Sequence, residues 1–151
     1  MTEFICSSVQ QTQQVAADIA TTLKGGEVLC LFGDLGTGKT TFVKGLARAL
    51  GIKEAITSPT FTLMNLYAVG HRKSDIRYPI SDIRLLIHID TYRLEREQEL
   101  GDIGAADYIG QTGTVTVVEW PEKLEKLLQG KRIIKIMFEH WEEGKRKIVV
   151  E

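Results

Sequence analysis

The run EVLCLFGDLGTGKTTFVKGLARAL, Glu27 to Leu50, leaves the chain few ways to fold. Its opening six residues are almost continuously apolar, which suits a central strand covered on both faces, as parallel strands usually are. Phe42, Val43, Leu46, Ala47 and Leu50 then recur at helical spacing, and Gly51 follows as a helix stop. Between the two elements Gly33, Gly38, Lys39 and Thr40 satisfy the spacing G-x-x-x-x-G-K-[ST]. Glycines let such a loop turn until successive backbone N–H groups converge on phosphate oxygens. The helix beginning near Lys39 adds its positive end. Lys39 is suited to reach β- and γ-phosphates and the Thr40 hydroxyl to meet Mg²⁺, while Gly36 keeps side chains out of the way.

The remainder of the chain extends this into a sheet. Thr2 to Cys6 reads as a first strand, and TQQVAADIATTL, from Thr12, as a helix with Val15, Ile19 and Leu23 on one stripe, ended by Gly25-Gly26. FTLMNLYAV, RLLIHI and VTVVEW read as strands. PEKLEKLLQ reads as a helix begun by Pro121, and RIIKIMFEH with KIVVE as a terminal hairpin. Helices and strands alternate early and strands dominate late. The expectation is an α/β, P-loop NTPase-like three-layer fold whose mostly parallel central sheet carries antiparallel edge strands. At 151 residues the chain suits one domain, residues 1–151, with a single core.

In doubly wound sheets ligands bind at the carboxyl ends of the strands. Asp90 follows RLLIHI and Glu119 follows VTVV, so both acids belong at that edge, where either can meet the cation or orient water. Each can equally be a polar strand terminus or a helix cap. Thr60 in TSPTFTL is placed either to face metal or phosphate or simply to enter a strand.

Composition removes other classes. A net charge of −1 with 26% charged residues does not mark a phosphate-backbone binder, though local nucleic-acid contact stays open. Cys6 and Cys30 lack zinc-site spacing and read as reduced core residues. His88 and His140 sit in strands without a ligand cluster. No apolar run is long enough to span a bilayer, so a cytoplasmic protein without membrane contact is expected.

Five blocks in order, GDLGTGKTT, SPTFTL, HIDTYRL, ELGDIGAADYI and VEWPEKL, resemble the TsaE (formerly YjeE) family, the small bacterial ATPases of tRNA threonylcarbamoyladenosine (t6A) synthesis. The likeness runs from Gly33 to Leu127. It implies an ATP- and Mg²⁺-dependent hydrolase acting with two partners, a threonylcarbamoyl transferase subunit and its non-catalytic paralogue. Those partners modify adenosine 37 of tRNAs reading codons that begin with A. By the same likeness, the nucleotide lies on Gly33, Asp34, Gly36, Thr37, Gly38, Lys39, Thr40 and Thr41. Thr40 and Glu119 hold magnesium, Asp90 sits near the reactive phosphate, and Lys39, Asp90 and Glu119 form the catalytic set. Thr12 corresponds loosely to a hydroxyl near the nucleotide, although an N-cap explains it as well. Trp120 belongs beside the pocket or in a packed aromatic cluster. Arg93 suits phosphate, a partner or an ordinary ion pair.

GHRKSDIRYPISDIR departs from the family pattern as a longer, basic connection. Its His71, Arg72, Lys73, Arg77 and Arg84 suit tRNA phosphate, an acidic partner or plain solvation. A small-molecule kinase and a non-catalytic nucleotide-binding module are the competing functional classes. ATP is favoured over GTP because no [NT]-K-x-D segment occurs.

Overall fold

The structure is a computed structural model and describes residues 1–59, 61–70 and 82–151. Thr60, His71, Arg72, Lys73 and Arg77 lie outside the described residues. Seven strands form one sheet: β1 (Thr2–Cys6), β2 (Glu27–Phe32), β3 (Met64–Ala68), β4 (Leu85–Asp90), β5 (Thr114–Glu119), β6 (Arg132–His140) and β7 (Arg146–Val150). Among the described residues four helices accompany them: α1 (Val9–Ala20), α2 (Lys39–Ala49), α3 (Gln98–Asp102) and α4 (Glu125–Leu128). The strand order is β1-β7-β6-β2-β5-β4-β3. The four central strands β6, β2, β5 and β4 run parallel, while β3, β7 and β1 join antiparallel at the margins. This is the P-loop NTPase-like, α/β arrangement that the element order implies.

Alternation along the strands splits the core into two layers. Leu29, Leu31, Leu86, Val115, Val117 and Ile136 face the layer closed by α1 and α2. Val28, Cys30, Ile87, Ile89 and Val118 face the other, with Leu100, Ala105 and Leu124 from short segments above them. Helices α1 and α2 cross closely. A Cβ on Gly45 would stand 2.7 Å from the Gln13 Cα, so only glycine permits that approach. Cys6 and Cys30 are free and buried, and burial pushes the Cys30 thiol up to about 11.

Three local expectations are corrected. The first helix begins at Val9 rather than Thr12, because Ser8 caps it: its hydroxyl accepts the Gln11 N–H at 3.1 Å, while Gln11 Oε1 takes the Ser7 N–H at 2.7 Å. Thr12 is therefore not the N-cap. The strand expected over FTLMNLYAV starts only at Met64. Before it, Leu63 adopts φ 64 and donates its N–H to the Pro59 carbonyl at 2.8 Å, a turn that periodicity does not reveal. The helix expected from Pro121 is interrupted at Leu124, with φ −110 and ψ 73, into a 3-10 turn, Pro121–Lys123, and the four-residue α4. Leu124 turns into the second core layer, and the Lys123 ammonium is gripped by the carbonyls of Thr91, Tyr92 and Leu94, each at 2.9 Å.

Candidate functional site

β2 ends at Phe32, and the glycine loop carries the chain from there into α2. Gly33, at φ 137, lies so close to β6 that an added Cβ would collide with the Phe138 carbonyl oxygen. Gly38 caps α2 in the left-handed region, at φ 107, which aims the first helical N–H groups into the loop's bend. Within the loop the Thr37 hydroxyl and N–H both bond the Asp34 carbonyl, at 2.7 and 3.4 Å. The loop is thus pre-shaped by its own bonds.

Lys39 is buried and folds back over the loop. Its ammonium donates to the Gly33 carbonyl and, at 3.0 Å, to the Asp34 carbonyl, and stands 4.2 Å from the centre of the Trp120 ring. Burial pushes it below the usual lysine value, against the opposing pull of Glu119, Asp90 and Asp34. Trp120 owes its place to a left-handed backbone, φ 59, directly after β5, and its ring lies 5.2 Å from that of Tyr92.

Parallel pairing of β4 with β5 sets Asp90 directly opposite Glu119, and β5 with β2 sets Glu119 opposite Leu31, two residues before Gly33. Both acids are nearly buried, at 8% and 4% exposure. Asp90 is held from two sides, Oδ1 taking the Tyr92 N–H at 2.9 Å and Oδ2 the Ser58 hydroxyl at 3.0 Å. Glu119 Oε1 stands 2.8 Å from His88 Nε2.

A cleft of about 320 Å³ opens beside these groups, lined by Val9, Leu35, Gly36, Gly38, Lys39, Thr40, Thr41, Glu119 and Arg146. Of the expected residues, Gly36, Gly38, Lys39, Thr40, Thr41 and Glu119 therefore share one cavity. Gly33, Asp34 and Thr37 build the loop behind it. Thr12 does not line the cleft: it is fully buried in α1, its hydroxyl 3.4 Å from the Ser8 carbonyl, and Val9 lines the cleft instead. Arg93 is not ion-paired among the described residues but lies over the ring of Phe61, 5.0 Å from its centre. Arg84 is exposed ahead of β4, away from these cleft-lining residues.

Arg146 is the functional candidate that sequence reasoning missed. It opens β7, and its guanidinium packs where a Gly38 Cβ would lie, 2.5 Å from that position. Only the hairpin register, with Arg146 opposite His140, brings it there. The GKRK cluster that contains it, residues 144–147, was the available signal, but a basic turn alone does not say which way its arginine faces.

The arrangement offers backbone donors, one ammonium, hydroxyls and two carboxylates around one bend. The profile of the family "Threonylcarbamoyl adenosine biosynthesis protein TsaE" matches residues 6–148. The chain belongs to the TsaE family. A protein of Aquifex aeolicus named tRNA threonylcarbamoyladenosine biosynthesis protein TsaE is 43% identical over 123 residues, covering 80% of this chain and 77% of its own. The protein of the same name from Treponema pallidum is 38% identical over 146 residues, covering 97% of both chains. Among solved structures, the crystal structure of Bacillus subtilis YdiB superposes with a TM-score of 0.72 at 30% identity, covering 97% of this chain and 82% of that one. The TsaE match extends the likeness beyond the five blocks to α1 and, as far as residue 148, into the terminal hairpin, which carries Arg146. No helix among the described residues is long and apolar enough to cross a membrane.

Proposed function

We propose that this TsaE-family chain binds ATP with Mg²⁺ at the Gly33–Thr41 loop and hydrolyses it during formation of t6A at adenosine 37 of tRNA. The transfer itself belongs to a partner pair, the threonylcarbamoyl transferase subunit and its non-catalytic paralogue. The observation that carries this reading is the alignment of Asp90 with Glu119 across adjacent parallel strands, at the edge where Lys39 heads α2.

The residues present fit the pair of ligands. Among the described residues no three His, Cys, Asp or Glu side chains converge as a metal cage, and magnesium in nucleotide sites needs none: one or two carboxylates suffice, with phosphate and water completing its shell. Thr40 and Glu119 supply hard oxygen donors for it. When bound, ATP supplies the phosphoryl group and magnesium draws off its charge.

The chain's own groups do the rest. Lys39 exchanges two loop carbonyls for phosphate oxygens, regaining as charge-assisted bonds what burial takes from its ammonium. Gly36, Gly38 and Thr41 hold phosphate through N–H and hydroxyl donors, and Arg146 places a second positive charge on the cleft wall. Asp90, fixed by Tyr92 and Ser58, orients the attacking water. Trp120 and Tyr92 screen the Lys39 side of the bend from solvent.

The test is ATP hydrolysis and tRNA modification in the three-protein system, with nucleotide binding measured beside them. Lys39→Ala is expected to weaken ATP capture. Glu119→Ala is expected to spare capture and cut turnover by about 10²-fold or more. Equal turnover in wild type and both variants removes the assignment, and a phosphorylated metabolite appearing with ADP replaces hydrolysis with kinase chemistry.

A further inference from the structure

His88 lies two residues before Asp90 on β4 and is fully buried. Its Nε2 stands 2.8 Å from Glu119 Oε1, whereas its Nδ1 has no hydrogen-bond partner among the described residues. A buried nitrogen without a partner costs free energy, so a side chain that merely filled this space would do better as leucine. The two ring tautomers differ sharply here. With the hydrogen on Nδ1, a donor is stranded in an apolar layer and two acceptors, Nε2 and Oε1, face each other at 2.8 Å. With the hydrogen on Nε2, the ring donates a charge-assisted bond to the carboxylate and strands only a lone pair.

We infer that His88 is a positioning residue for Glu119: its Nε2–H holds Oε1, fixing the carboxylate's rotation and leaving Oε2 as the oxygen offered to the cleft. The backbone cannot do this alone, because β5 fixes only the Glu119 Cα and leaves three side-chain torsions to be set. With His88 in place the carboxylate meets its cation through one oxygen in one orientation. The inference rests on Glu119 being the magnesium ligand proposed above. His88 is itself too deep to touch nucleotide, and it is not a catalytic residue.

The test compares wild type, His88→Leu and His88→Gln by calorimetric titration of ADP with and without Mg²⁺. Leucine fills the space without the donor. Glutamine returns an N–H at about the reach of Nε2. In wild type, magnesium tightens ADP binding. In His88→Leu that magnesium-linked gain falls about tenfold while metal-free ADP binding moves by less than about twofold, and His88→Gln recovers most of the gain. A core-filling histidine predicts no loss in the leucine variant and no advantage for glutamine. Equal magnesium-linked gains in wild type and His88→Leu overturn the role of His88 and leave the nucleotide site standing. A wild type whose ADP binding ignores magnesium overturns both. Long-range nitrogen-15 NMR of the wild-type protein supplies a readout that needs no variant and no ligand: a hydrogen is expected on Nε2 of His88, and an Nε2 that carries none overturns the inference.

Discussion

The two faces of the sheet are built differently. One lies under α1 and α2, of 12 and 11 residues, which pack on each other through Gly45 and bury Phe42, Val43 and Leu46 completely. The other lies under α3 and α4, of five and four residues, and two 3-10 turns. The glycine loop feeds the first face, whereas the chain leaving Asp90 and Glu119 feeds the second. There the segments are joined by polar ties: Lys123 on three carbonyls, and the Thr91 hydroxyl on the carbonyls of Glu119 and Trp120. Long helices hold the glycine loop rigid, while the short pieces leave the second face easier to open locally.

The contrast can be broken by core truncation, where the largest effect is expected. Leu46→Ala should cost about 3–5 kcal/mol in urea unfolding, and Leu100→Ala, equally buried, about 2–3 kcal/mol, because a cover of short segments collapses more readily into the gap. Equal costs would mean that the two faces are equally tight. A smaller effect sharpens the same contrast: Lys123→Met should lower stability by about 1–2 kcal/mol and speed amide exchange near Leu94, with α2 unaffected. Faster exchange in α2 as well would show that the faces open together.

The smallest effect concerns Lys39. Its folded-state value is lowered from 10.5, so on raising the pH towards 10.5 the folded chain sheds this proton before the unfolded chain does. Wild type should therefore gain stability relative to Lys39→Met across that window and gain no more above it. Urea unfolding of both proteins over the alkaline range checks this, and parallel curves would show that the seat holds its ammonium without penalty.

The same division governs what the sequence disclosed. Strand β2, the glycine loop and α2 were legible because a long apolar run, a loop motif and a 3.6-residue stripe agree within Glu27–Leu50. Asp90 and Glu119 were legible as strand-end acids, since register needs only two parallel strands of equal reach. The second face was not. α3 is too short to show a period, and Leu63 and Trp120 take left-handed backbones that their residue types do not announce. The break at Leu124 follows from Lys123 reaching carbonyls some thirty residues earlier, a non-local grip that no window contains. Arg146 was hidden for the same reason, its position depending on how the hairpin returns to Gly38.

Among the described residues β1 pairs only with β7, Thr2 opposite Val150, so the strand at one sheet margin finds its neighbour nearly the whole chain away. Closing so large a loop is entropically the most demanding step in assembling the sheet, and local segments have no reason to wait for it. Val9 begins the helix that follows β1 and Arg146 begins β7, so one wall of the cleft joins the first helix to the last strand.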